Sequence, residues 1–333
     1  METIITVILF IVGLVVIIKG GDWFVESAVW LAKVTGIPSV LIGATIVSIA
    51  TTLPELLVSS IATYQQFYDV AIGNVVGSMA CNIGLILGTT AILSPVKIKR
   101  GNFTIKSLFM LITAIVLWLL AKDKIITSKE GNILLVLFVV YIIMNILEFR
   151  NKGKKDSKEY STVKFGRAYA GKNMLKFVLG AIFIIIGARL LVTNGVEIAN
   201  LLGIPDQVIS LTLIALGTSM PELITAITSI IKGHYGISIG NILGANVLNM
   251  VMVVGVSSKI AEQGLVISYQ NVMLGATIYN IPQTLYLDLP VTVIMMTIIV
   301  LSGLIFGKIS RWTGLLVLSI YCFYLFTLVK LFL

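Results

Sequence analysis

The sequence predicts an all-α polytopic membrane protein: ten transmembrane helices in two inverted five-helix repeats, with helices 2 and 7 broken. Three observations predict it: a composition too apolar for water, ten apolar runs of spanning length, and a motif-rich segment that occurs twice. Of 333 residues, 58% are hydrophobic and 12% charged. A soluble domain runs at about 25% charged and about 45–50% apolar. So little charge cannot cover a water-facing surface, and most of the chain must face lipid or other embedded helices.

About 20 apolar residues cross a bilayer core of about 30 Å. Runs of that kind cover 4–30, 38–64, 70–93, 103–121, 131–149, 174–199, 207–231, 236–257, 290–307 and 312–332. The alternating pattern of a membrane β-barrel is absent, which leaves helices as the spanning solution. A moderately apolar insertion at 264–286, with Asn271, Asn280, Pro282 and Gln283, reads as an external loop. Counting it as an eleventh span would put Lys308 and Arg311 outside.

Charge sets the orientation. The net charge is +9, and its placement explains it better than nucleic-acid binding does. With the N-terminus outside, sixteen Lys/Arg fall on inner loops: Lys33, Lys97 to Lys106, eight from Arg150 to Lys172, Lys232, Lys308 and Arg311. Five fall outside: Lys122, Lys124, Lys129, Lys259 and Lys330. That bias predicts both termini outside a cell membrane and a cytoplasmic 150–173 linker. The first run lacks a basic leader and a small-residue cleavage site, so no separate cleavable signal peptide is expected. Cys81 and Cys322 lie within runs and read as packing residues, and no disulfide framework is expected.

The segment 36–88 recurs at 203–255, offset by 167, with 16 of 53 positions identical. The matches include Gly36-Ile37-Pro38 with Gly203-Ile204-Pro205, Thr51 with Thr218, and Pro54-Glu55-Leu56 with Pro221-Glu222-Leu223. They also include Gly73-Asn74 with Gly240-Asn241, Gly77 with Gly244, and Asn82 with Asn249. Chance likeness between apolar helices would match Leu and Ile rather than Gly, Pro, Glu and Asn in register. Each copy holds five runs, an odd number, so the second enters the membrane from the other side. The expected organisation is a first repeat at 1–149, the basic linker, and a second repeat at 174–333. Inverted repeats are typical of secondary transporters, with the substrate site near the midplane.

The repeated motifs carry the chemistry. Glu55 and Glu222 lie deep in apolar runs, where an ionisable group costs about 2.5 kcal/mol or more and marks a functional site by default. Proline lacks an N–H and clashes with the carbonyl four residues back. Pro54 therefore frees the Ala50 carbonyl and Pro221 that of Gly217, predicting helix breaks beside Thr51 and Thr218. Freed carbonyls and the negative end of a half-helix favour a cation. In the next helix, Gly73 with Gly77 and Gly240 with Gly244 stand four apart, a spacing that lets backbones approach closely. Asn82 and Asn249 follow five residues later, and facing the glutamates they would complete an all-oxygen cage. Such ligands suit Ca²⁺, which takes about six to eight oxygens. Nothing points to a zinc or copper cluster, and His234 reads as a solvated loop residue.

At these residues the chain resembles the calcium/cation antiporter superfamily, most closely prokaryotic sodium/calcium exchangers. The resemblance covers nearly the whole chain and is most specific at the paired Thr-x-x-Pro-Glu and Gly-Asn-x-x-Gly motifs. It implies Glu55 and Glu222 as shared Ca²⁺ and Na⁺ ligands, with Thr51, Thr218, Ser48 and Ala215 binding through backbone oxygen. It adds side chains from Ser78, Asn82 and Asn249. Three positions depart from the pattern: Ala245 where relatives often have Ser, Asn249 where well-studied sodium exchangers have Asp, and Ala50 opposite Gly217. These departures bear on Na⁺ coupling more than on Ca²⁺ binding.

The resemblance implies a secondary antiporter exchanging Ca²⁺ for Na⁺ by alternating access, not an enzyme. The long glycine-containing helices 1 and 6 would slide against the rest. It implies no cofactor; Ca²⁺ and a monovalent counter-ion are cargo. Lipids are the expected surroundings, with no nucleic acid and no obligatory protein partner. A Ca²⁺/H⁺ antiporter, a carrier of Mg²⁺ or Mn²⁺, and a cation channel fit the same residues. An intramembrane protease does not, since no intramembrane His or catalytic Asp pair is present. Asp22, Glu26 and Glu197 read as helix-end or interface charges.

Overall fold

The computed structural model describes residues 2–35, 37–98, 100–152, 167–201, 215–274 and 277–332. Among the described residues, nine helices are long and apolar enough to cross a membrane by length and composition. The chain is an all-α, multi-pass membrane protein. In order its helices are α1 (Glu2–Thr35), α2 (Ser39–Tyr64), α3 (Tyr68–Leu93), α4 (Arg100–Leu120) and α5 (Ser128–Lys152). Then follow α6 (Arg167–Leu201), a single turn Ala215–Thr218, α7 (Met220–Ile231), α8 (Tyr235–Ile260), α9 (Thr284–Phe306) and α10 (Arg311–Phe332). Most of the expected linker lies outside the described residues. Its described ends are helical, because α5 runs on to Lys152 and α6 begins at Arg167.

The two expected helix breaks take different forms. Pro54 sits inside an unbroken helical stretch, Ser48–Tyr64, and the irregular turn comes earlier, as a π turn at Gly43–Val47. In the second repeat the break is real. Ser219 has φ −84° and ψ 2°, and α7 starts afresh with Pro221 in its first turn. Further π turns open at Asn82 in α3 and Asn249 in α8, and one begins α9 at Thr284. An inserted residue of this kind rotates the side chains that follow and often marks a functional position.

The insertion is more ordered than a loop. β4 (Gln270–Leu274) and β5 (Thr277–Ile281) form an antiparallel hairpin, with Asn271 opposite Asn280 and the Asn280 amide donating to Asn271 Oδ1 at 2.8 Å. Two shorter ladders staple the helix ends. β1 (Val96–Lys97) pairs with β6 (Lys308–Ile309), and β2 (Ile125–Ile126) with β3 (Leu265–Val266). α9 stops where Gly307 takes φ 63°, the left-handed conformation that glycine adopts at low cost.

The chain divides into two compact units. The first holds Met1–Thr51 and Val140–Gly244. In it α1 lies along α6, and their backbones come close at glycines: a Cβ on Gly20 would sit 2.9 Å from the Gly180 carbonyl oxygen. Trp23 stacks on Phe183 at 5.3 Å and Phe24 on Phe177 at 4.5 Å. Buried Phe24, Ala28, Ile42, Val47, Ile184 and Ile237 make its core. The first half of α2 packs backbone to backbone on the first half of α8. There Gly236, Gly240 and Gly244 face Ser39, Val40, Ala44 and Ser48, and a Cβ on Gly240 would overlap the Val40 carbonyl oxygen. Glycines four apart give helices this approach in a membrane. The Tyr141 hydroxyl, from α5, donates to the Ala44 carbonyl at 2.6 Å within the π turn.

The second unit holds Thr52–Val139 and Ala245–Leu333. Here α10 packs on the second half of α3, with Gly88 and Gly314 in close approach, and α4 packs on α9. The Trp118 indole donates to the Leu285 carbonyl at 3.2 Å, and Asp69 accepts from the Ser268 amide at 3.1 Å.

Candidate ion-binding residues

In the second unit, Glu55, Ser78, Asn82 and Asn249 are all fully buried. Glu55 is the eighth residue of its helical stretch. Its backbone is anchored from α3: Asn74 Nδ2 donates to the Glu55 carbonyl at 3.3 Å and to Ser59 Oγ at 2.9 Å. Ser59 in turn donates to the Ala71 carbonyl at 3.1 Å. Asn82 and Asn249 each open a π turn, and neither amide oxygen nor amide nitrogen of either finds a partner among the described residues. A buried amide left unmatched costs about 1–3 kcal/mol. Two at repeat-related positions are suited to an oxygen-seeking ligand.

In the first unit, Glu222 is fully buried and is the third residue of α7. The positive end of the helix dipole favours a carboxylate there. Ser48 is fully buried, and Thr51 Oγ1 lies 3.3 Å from the Ser48 carbonyl oxygen and 3.1 Å from Asn241 Oδ1. Thr218 ends the single turn that Ala215 begins, one residue before the break. Pro221 in the first turn loses no helix bond, because the first N–H groups of a helix have no intrahelical partner. Pro54, inside its helix, does remove one.

The glycines of the sequence motif behave differently. Gly240 and Gly244 are in backbone contact, as described above. A Cβ on Gly73 would meet nothing within 4 Å among the described residues, and Gly77 is half-buried. The α8 glycines therefore have a close-packing role that the structure gives no reason to assign to Gly73.

Several residues escaped the sequence reading. Asn74 and Asn241 stood only as motif letters, yet Asn74 holds the Glu55 backbone and Asn241 holds Thr51. Their recurrence was the available signal. Asp288 is a further buried carboxylate, 7% exposed, accepting from Gln283 Nε2 at 3.2 Å and the Tyr324 hydroxyl at 3.0 Å. It was missed because the ninth apolar run was read as starting at 290. Asp22 and Glu26, expected as helix-end or interface charges, form ion pairs: Lys232 Nζ lies 3.0 Å from Asp22 and 3.1 Å from Glu26, with Lys176 3.4 Å from Glu26. His234 is less solvated than expected. Burial, followed by nearby Lys33 and Lys232, holds its imidazole below the usual range.

A bundle of apolar helices that buries carboxylates, amides and loosened backbone in its interior defines a membrane transporter rather than an enzyme. Comparison with known proteins gives the particular lineage. A profile for "Sodium/calcium exchanger protein" matches residues 5–147 and 172–330. The chain belongs to the sodium/calcium exchanger family. It is 29% identical to sodium/calcium exchanger MaX1 of Methanosarcina acetivorans, over 96% of this chain and 97% of that one. It is 34% identical to inner membrane protein YrbG of Escherichia coli, over 76% and 79%. The solved structure of the sodium-calcium exchanger NCX_Mj superposes with a TM-score of 0.81 at 29% identity, covering 98% of this chain and 99% of that one.

Proposed function

We propose that the protein is a secondary antiporter that exchanges Ca²⁺ for Na⁺ across the cell membrane, with Glu55 and Glu222 as the charged ligands. The observation that carries this reading is the pair of fully buried glutamates, each on a repeat-related Pro-Glu motif, together with the unmatched amides of Asn82 and Asn249. A buried carboxylate in lipid is costly unless neutralised, and a divalent cation neutralises two. Backbone oxygens of Ser48, Thr51, Ala215 and Thr218 and the Ser78 hydroxyl complete a hard-oxygen set. MaX1 and NCX_Mj, both named as sodium/calcium exchangers, support the same cargo.

Exchange follows from competition. Ca²⁺ and the counter-ion need the same two carboxylates, so one must leave before the other binds, and alternating access at the midplane makes transport obligatory. α1 and α6, in contact through Gly20 and Gly180, are the elements we assign to the sliding motion. Residues 1–149 and 174–333 are the inverted repeats, both termini lie outside, and the 150–173 linker is cytoplasmic. Lipids are the only surroundings this requires.

One observation favours a second reading, Ca²⁺/H⁺ exchange. Ser78 and its repeat mate Ala245 are both fully buried, so the second copy lacks a hydroxyl that a monovalent metal ion could use. The deciding experiment is ⁴⁵Ca²⁺ uptake into proteoliposomes under an imposed Na⁺ gradient or an imposed pH gradient. Uptake driven by Na⁺ and not by pH is expected. Uptake driven by pH alone replaces Na⁺ with H⁺, and a counter-ion-independent current would make the protein a channel.

A further inference from the structure

We propose that Thr225 and Ser229 on α7 form a hydroxyl step at which Ca²⁺ sheds water between Glu222 and the Lys232 end of that helix. The proposal rests on Glu222 being an ion ligand, as argued above. Glu222, Thr225 and Ser229 stand three and four residues apart, which places them on one face of the helix. All three are fully buried. α1 covers a different face: a Cβ on Gly21 would lie 2.6 Å from Ile224 and 3.2 Å from the Thr228 hydroxyl.

The hydroxyls of Thr225 and Ser229 find no partner among the described residues. Four more buried hydroxyls share this state, those of Thr52, Ser219, Ser238 and Ser257. Several helical hydroxyls instead donate to the carbonyl four residues back: Thr63 to Ser59 at 2.7 Å, Thr89 to Leu85 at 2.6 Å and Thr113 to Phe109 at 2.8 Å. Thr225 and Ser229 sit on regular helix and could do the same, yet they do not. A buried hydroxyl left unmatched costs about 1–3 kcal/mol.

The sister repeat supplies an internal control. At the 167-residue offset, Thr225 and Ser229 correspond to Val58 and Ala62. Beyond Glu55, the buried hydroxyls of α2 are instead at Ser59 and Thr63, one position further along, and both are bonded. The face beyond Glu55 that corresponds to the α7 stripe is therefore apolar. Because the repeats are inverted, these two faces lead towards opposite sides of the membrane. Hydroxyl oxygens are hard ligands that replace water around Ca²⁺, so a stripe of them eases passage on one side only.

The test is apparent Ca²⁺ affinity measured from each face of reconstituted vesicles. Impermeant-maleimide labelling of His234→Cys, in a Cys81→Ala, Cys322→Ser background, identifies the Lys232 face. In Thr225→Val with Ser229→Ala, the apparent KM for Ca²⁺ at that face should rise about fivefold, the worth of a lost polar contact, with no change at the other face. Thr225→Ser and Ser229→Thr keep the oxygens and should match wild type at both faces. If the double variant does not fold, Ser229→Ala alone should show the one-sided rise. No rise, an equal rise at both faces, or loss in the oxygen-keeping variants overturns the proposal. Absence of Ca²⁺ flux in the wild type is a distinct result, which removes the antiporter reading itself.

Discussion

Glu55 and Glu222 share a Thr-x-x-Pro-Glu-Leu motif in two different backbones. Glu55 sits eight residues into an unbroken helical stretch, and its carbonyl is tied to α3 by Asn74. Glu222 sits in the first turn of a new helix, one residue after a proline that costs no hydrogen bond. The pairing of the asparagines differs as well. Asn74 is a donor to its own repeat, to Glu55 and Ser59, while Asn241 accepts from Thr51 of the other repeat. Sequence symmetry therefore fixes which atoms are available, and local packing decides how each is presented. If both glutamates bind the ion as proposed, two half-sites with different backbones need not respond alike to it.

The largest expected effect tests what the two half-sites share. Glu55→Gln and Glu222→Gln should each cut Ca²⁺ uptake by about 100-fold or more, as loss of one charge from a buried ionic site does. Transport persisting in either variant would make that half-site dispensable. Next comes the glycine contrast. Gly240→Ala forces a methyl group onto the Val40 carbonyl and should destabilise the protein by about 1–3 kcal/mol in thermal unfolding. Gly73→Ala meets open space and should be neutral or stabilising by about 0.5–1 kcal/mol. Equal effects would erase the packing difference between the copies.

The asparagines give a smaller split. Asn74→Ala removes both donors to α2 and should lower stability by about 1–3 kcal/mol. Asn241→Ala should cost less, because Thr51 keeps the Ser48 carbonyl. The smallest effect concerns pH. His234 replaces Phe67 of the first repeat, and its imidazole is held below the usual value by burial and then by Lys33 and Lys232. A folded-state pKa below the unfolded one favours the neutral form. The stability it contributes is present above the unfolded pKa, near 6.5, and is lost as pH falls below it. His234→Phe should flatten the decline in thermal stability between about pH 7 and pH 5.

Much of this was legible in the sequence, because depth in a membrane leaves a plain signature. Apolar runs gave the helices, the Pro-Glu repeats gave the buried carboxylates, and the repeated Asn82 and Asn249, five residues after Gly77 and Gly244, gave the amides that lack partners among the described residues. What the sequence could not give was how each proline would act. Pro54 and Pro221 share Thr three residues before and Glu-Leu after, yet only the second coincides with a helix start, since tertiary packing sets where a helix resumes. Asp288 was hidden by a span boundary drawn two residues late. The hairpin at 270–281 was hidden because its strands are short and polar enough to read as loop.

The central claim is that Ca²⁺ and Na⁺ compete for one site made by the two glutamates. Equilibrium ⁴⁵Ca²⁺ binding to the purified protein, titrated with Na⁺, tests it most directly. The expected result is saturable Ca²⁺ binding that Na⁺ displaces completely, and no comparable binding in Glu55→Gln or Glu222→Gln. Ca²⁺ binding that Na⁺ leaves untouched, or that survives in either variant, would contradict it.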